Sequence, residues 1–285
     1  MSIGTIGTKT VTRTGSMVGK FIPFIYVFVE DKLAEKIIDL VVDQNSSDRP
    51  KSSVKCVVSG SWLNQAACMY GFYTYGNELA GTYQIPFFSA LAVNDGDVPQ
   101  KQLDQRLDGV IKGSLNEDQA TIKEKIRAHT TQFTLAHLLG PNGEEIKASP
   151  EYNHKLWFEE ITEPMIREQH KTALEQPDAL LRLIAQHEIE TLLEVIAYSK
   201  TLFNPNSASV ESEKVDYHTY YTLLKACTPR RPDDAMNNIE WYVLRAIKRY
   251  NRAQWEAYTG HVRERIVALA LDNYERFKNS HFDLR

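Results

Sequence analysis

The sequence predicts an α+β protein, with a strand-rich, α/β-like N-terminal third followed by a mainly helical C-terminal part. Three observations predict it. Runs rich in β-branched and aromatic residues at 21–30, 54–58 and 83–93 read as strands. Between the first two, Leu33, Ile37, Ile38 and Val41 recur at helical spacing. After the turn signal Asn94-Asp95-Gly96-Asp97, apolar residues recur at helical spacing to the C-terminus.

The elements follow in order. Residues 1–19 are polar, glycine-bearing and mildly basic, which predicts a flexible or exchanged arm, with Lys9–Thr14 as a short edge strand. Residues 20–113 form the mixed α/β region. In it Phe21–Glu30 is a strand, Asp31 caps a helix over 32–43, and 44–53 is a polar loop. Val54–Val58 is the second strand, Ser59-Gly60-Ser61 a turn, Trp62–Tyr70 a short helix, and Tyr83–Val93 a third strand.

Residues 114–285 form the helical region. Ser114 and Glu117 have capping-box spacing, and the helix they start runs to about Leu139, stopping at Gly140-Pro141. A boundary within this part is placed near 140–150. Further helices are expected over 151–161, 163–176, 178–202, 215–227, 235–258 and 261–278, with a flexible loop at 204–212.

Composition narrows the function classes. The chain has 285 residues and a net charge of -4, so as a whole it is no generic polyanion binder. Cys56, Cys68 and Cys227 are odd in number and widely spaced, which argues against a disulfide framework or a structural zinc site. No apolar run reaches the roughly 20 residues of a membrane span, so a cytoplasmic location, in a host cell or a virion if the protein is viral, is expected. The sequence contains no GxxxxGK[ST], no GxGxxG after a strand, no HExxH and no GxSxG. No catalytic residue, metal site or cofactor is predicted.

Three weaker signals have a bland reading each. Ser59-Gly60-Ser61, between strand and helix, suits either a phosphate at a helix N-terminus or simple capping, and capping is favoured. Glu151 and His154 form a single ExxH, where di-iron bundles use two. His187, Glu190 and Glu194 share one face at i, i+3 and i+7, more simply the wet face of a helix whose dry face holds Leu181, Ile184, Leu192 and Ile196.

Two patterns carry more. From Cys56 to Gln100 there is no Lys or Arg, yet eight aromatics occur. Such a block is either domain core or subunit interface, and Trp62, Tyr70, Phe72, Tyr73 and Tyr75 are the interface candidates. Charge is also segregated: 144–194 carries 12 acids and 5 bases, 225–278 carries 11 bases and 7 acids. The basic segment either docks on the acidic one or faces a polyanion. On a helix over 235–258, Ile239, Val243, Ala246, Tyr250, Ala253 and Ala257 make an apolar stripe. Arg245, Lys248, Arg249 and Arg252 fall on another face, flanked by Trp241 and Trp255, with Arg230 and Arg231 upstream. A basic stripe edged by aromatics holds phosphates and stacks bases; the alternative is a solvated cationic face.

These patterns lead to the expectation of a self-assembling structural protein, a homo-oligomer of viral or phage type (coat, nucleocapsid or replication-compartment subunit) contacting single-stranded nucleic acid. The alternatives are an enzyme with an unrecognised site on the N-terminal α/β region, near Ser59–Ser61, or a protein-binding adaptor.

Overall fold

The computed structural model describes residues 25–43, 54–83, 89–96, 100–111, 117–139, 145–147, 149–203, 216–230 and 234–279. The arm at 1–19, the strand at 9–14, the loops at 44–53 and 204–212, Ser114 and Arg231 lie outside the described residues. The chain is α+β, and it divides into two units. One is Met1–Phe133 with Thr259–Arg285, and the other is Thr134–Tyr258.

The first unit is built on a four-stranded parallel sheet. Strands β1 (Ile25–Val29), β2 (Val54–Val58), β3 (Ser89–Asn94) and β4 (Thr130–Gln132) lie in the order β2-β1-β3-β4. Val27 sits opposite Cys56 on one side and Leu91 on the other. Parallel neighbours need long crossovers, and helices supply them. These are α1 (Lys32–Asp43), α2 (Trp62–Tyr83), α3 (Gln100–Val110) and α4 (Glu117–Ala128). The two central strands are the apolar ones: every residue of β3 is buried, and Ile25, Val27 and Val29 have no exposed surface. Strand alternation sends Phe28, Ala90 and Ala92 to one face, where Met69, Tyr73, Leu107, Ile111, Ile122 and Ile126 pack on them.

Local chemistry starts these helices. The Asp31 carboxylate accepts the Ala34 N–H at 2.8 Å and so caps α1. At the end of β2, Gly60 has φ +84°, and the Ser59 hydroxyl donates to the Val29 carbonyl at 3.0 Å. A Cβ at position 60 would meet the Asn64 side chain at 3.0 Å, and positive φ would strain it further.

The second unit contains a small antiparallel pair, β5 (His137–Leu139) and β6 (Glu145–Lys147). Its helices are α5 (Pro150–Glu159), α6 (Glu163–Leu174), α7 (Ala179–Ser199), the short α8 (Tyr220–Leu224) and α9 (Ile239–Tyr250). Ser149 caps α5 with Pro150 in the first turn, Asp178 caps α7, and Asn238 caps α9. The last helix, α10 (Arg252–Asn279), contributes its residues up to Tyr258 to this unit and those from Thr259 to the first. In the first unit Asn273 of α10 accepts the Ser89 hydroxyl at 2.8 Å, and Arg265 donates to the Ala128 carbonyl. No helix among the described residues is long and apolar enough to cross a membrane.

Four expectations need correction. The helix predicted to reach Leu139 ends at Ala128, because the β-branched pair Thr130-Thr131 extends the sheet beside β3. The helix predicted over 62–70 runs on to Tyr83, and the following strand begins at Ser89. Gly71 and Gly76 lie inside it with open space where a Cβ would stand, so they weaken the helical signal without breaking the helix. The segment 215–227 holds only a 3-10 turn at Tyr217–Thr219 and α8. The single helix over 235–258 is broken at Asn251 (φ -117°, ψ 56°), whose side-chain N–H group donates to the Trp157 carbonyl at 3.0 Å and to Glu160 at 3.1 Å.

Candidate nucleic-acid interface

The break at Asn251 decides which of the predicted site residues act together. On α9, residues four apart form adjacent ridges, Trp241–Arg245–Arg249 and Tyr242–Ala246–Tyr250. Both ridges line a groove of about 270 Å³ whose other wall is Glu188 and Leu192 of α7. The inner face of α9 is buried through Ile239, Val243, Leu244, Ala246 and Ile247, while Arg245 and Arg249 are exposed and Trp241, Tyr242 and Tyr250 half-buried.

The arginines are held by rings. The Arg245 guanidinium carbon lies 5.1 Å from the Trp241 ring centre, and that of Arg249 lies 5.2 Å from the Tyr250 ring centre. Neither has a carboxylate within ion-pair distance among the described residues. Beneath them the His170 Nε2 lies 2.8 Å from the Tyr250 hydroxyl, and its Nδ1 lies 3.7 Å from Glu188. Burial pushes the His170 imidazole below its ordinary value, the Arg249 charge adds to this, and Glu188 opposes it. His170 is therefore neutral near pH 7 and makes no charged pair with Glu188.

The other basic residues are placed differently. Lys248 is half-buried on α9. Arg252 begins α10, exposed, with a 4.0 Å approach to Glu256. Arg230 is bound to Glu194 on α7 through its backbone N–H at 2.7 Å and its side chain at 3.5 Å, away from the groove. Trp255 is 0 % exposed and packs near Tyr258 at 6.4 Å, so it offers no face to a base and its stacking role is withdrawn. The predicted apolar stripe fails at the same point: Ala253 and Ala257 are exposed, while Trp255 and Tyr258 are buried.

Of the five interface candidates, Tyr73 is buried, Trp62, Tyr70 and Phe72 are half-buried, and Tyr75 is exposed. Tyr73 is buried, its hydroxyl donating to the Ala90 carbonyl at 3.2 Å and lying 2.7 Å from His129 Nδ1. Phe72 packs edge-on against Tyr73 and Phe28, and Tyr70 is packed against the same cluster. Trp62 is half-buried beside a small cavity of about 30 Å³ at the end of β3. Tyr75, 61 % exposed, is the interface candidate that faces outward.

The weaker signals separate. Ser59 spends its hydroxyl on Val29, tying β2 to β1. Glu151 approaches His218 at 3.2 Å, whereas buried His154 bonds the Tyr221 hydroxyl at 2.9 Å, so the ExxH pair does not converge. Glu190 accepts from Gln186, and Glu194 holds Arg230. Among the described residues no group of three or more His, Cys, Asp or Glu is placed to hold a metal.

Sequence reasoning missed Glu188, Leu192, Tyr242 and Tyr250 as groove residues. The available signal was the i, i+4 pair Glu188–Leu192; of the dry face expected on α7, Leu192 and Ile196 are buried but Leu181 and Ile184 are exposed. No family model matches the chain, and neither a curated protein nor a solved structure matches it.

Proposed function

We propose that the protein is a nucleic-acid-contact subunit of an assembled structure, holding single-stranded nucleic acid along α9. One observation carries this reading: Arg245 and Arg249, four residues apart, are stacked on aromatic rings beside an open groove and lack carboxylate partners among the described residues. A guanidinium restrained on a ring loses less freedom when it meets phosphate, and its plane is a stacking surface for a base. Docking on the acidic segment is the rival use of these charges. Against it, Glu194–Arg230, an ion pair that joins the two segments, does not use α9.

The test is binding of a fluorescent single-stranded oligonucleotide of mixed sequence across a salt series. Log affinity falls with log salt by about 0.7 per phosphate contact for a single strand. Arg245→Ala and Arg249→Ala each flatten that slope by roughly one contact. Absence of binding at low salt removes the reading.

Self-assembly has its own support. Leu180, Leu181, Leu183 and Ile184, in the first two turns of α7, are 63 %, 47 %, 54 % and 46 % exposed. Four adjacent large aliphatic side chains in water are the kind of patch that partners cover. Multi-angle light scattering should show an oligomer that Leu180→Ser with Leu183→Ser dissociates; a monomer at all micromolar concentrations removes the assembly reading.

A further inference from the structure

We propose that the α7–α9 groove holds one nucleotide unit of the strand and that Glu188 selects a base bearing an exocyclic amine, cytosine above uracil. The inference rests on the nucleic-acid reading of α9 and goes further by assigning a specificity-determining residue. The groove, about 270 Å³, is near the lower end of ordinary small-ligand pockets, about 300–1,000 Å³, so its scale is that of one base with its phosphate rather than of a longer segment.

Its walls differ in chemistry. Arg245 and Arg249 on one ridge present guanidinium groups for a phosphate, bidentate by nature. Leu192, Ala246 and Tyr250 give an apolar and aromatic seat for a base. Glu188 stands on the facing wall as a carboxylate, an acceptor at both oxygens. Its neighbour among the described residues is His170 at 3.7 Å, too long for a hydrogen bond, and that imidazole is neutral near pH 7. A carboxylate accepts the N4 amine of cytosine and repels the O4 carbonyl of uracil. The positive ridge attracts the strand without regard to sequence, and the single acid on the other wall adds selectivity through what it rejects.

The experiment is calorimetric titration of the full chain with CMP and with UMP, in parallel with CMP and UMP on the exposed-residue variant Glu188→Gln. A glutamine amide both donates and accepts, so it tolerates either base. CMP is expected to bind about tenfold tighter than UMP, the scale of one hydrogen bond to a charged group, and Glu188→Gln should bring the two within about twofold. Glu190→Gln, on another face of α7, should leave the preference unchanged. Equal binding of the two mononucleotides, or a preference for UMP, overturns the selection by Glu188 while the nucleic-acid reading stands. If neither mononucleotide binds and the long oligonucleotide does, the single-unit groove is overturned and the reading again stands. If the oligonucleotide also fails to bind, both fall.

Discussion

The Arg245 guanidinium carbon stands 5.1 Å from the centre of the Trp241 ring, one turn away on α9. The pair is local, so it forms with the helix itself and presents its cation before any ligand arrives. A cation over an indole face is worth about 0.5–1 kcal/mol at an exposed site, enough to restrain a side chain but not to hold a fold together.

Trp241 and Trp255 should therefore separate sharply on substitution. Trp241→Ala should cost about 1 kcal/mol of stability and about 1–3 kcal/mol of single-strand affinity. Trp255→Ala empties a fully buried site and should cost about 3–5 kcal/mol. Urea unfolding of both variants, with oligonucleotide binding of the first, checks this; comparable stability losses would contradict the burial assignment.

The aromatic block makes a second contrast. Tyr73→Asp places a carboxylate in the core and should prevent folding, since burying an unpaired charge is among the most damaging changes known. Tyr75→Asp, at an exposed site, should change monomer stability by no more than about 0.5 kcal/mol. Circular dichroism during thermal melting tells the two apart, and unfolding by Tyr75→Asp would place that side chain in the core after all.

Asn94 should be stabilised by losing its polarity. It is 1 % exposed at the end of β3, and among the described residues both its amide nitrogen and its amide oxygen lack hydrogen-bond partners. An unsatisfied buried polar group costs about 1–3 kcal/mol, so Asn94→Leu, similar in shape, should raise the urea midpoint by a comparable free energy. A lowered midpoint would show that the amide has a partner in solution, such as an ordered water.

His154 should make the second unit weaken in acid. Burial pushes its imidazole from 6.5 down to about 3, so the folded chain keeps it neutral. Between those values the unfolded chain binds the extra proton. Stability is then fully present above pH 6.5 and falls as pH drops toward 3, by about 1.4 kcal/mol per pH unit. Urea unfolding at several pH values, compared with His154→Phe, isolates this share: the variant should lose that part of the slope whatever its absolute stability. Parallel slopes would mean that His154 is accessible to protons in the folded state.

Much of the sheet was readable from sequence because each central strand is a short, mostly apolar run beside turn residues, and α1 because its apolar residues fall on one face. What could not be read depends on partners far along the chain. Thr130-Thr131 follows a helix whose spacing continues into Leu135 and Leu138, and pairing with β3 turns it into a strand. Asn251 is compatible with a helix interior; its bonds to Trp157 and Glu160, more than 90 positions earlier, end α9 there. That single break rotates everything after it, so Trp241 and Arg245 lie together on one helix while Trp255 turns inward, against the face that an unbroken helical wheel predicts. Glu188 was hidden for a related reason, since a groove between helices has no period in one sequence.

The hydrogen bond between Ser89 and Asn273 joins residues 184 positions apart. Translation delivers the chain from its N-terminus at about 5–20 residues per second, so the central strand β3 leaves the ribosome roughly 10–40 s before the helix that completes its unit. Thr134–Tyr258 is continuous and has every one of its residues in hand earlier. The unit that holds β3 can thus finish folding only after Thr134–Tyr258 can, and in the interval β3 waits without its Asn273 partner.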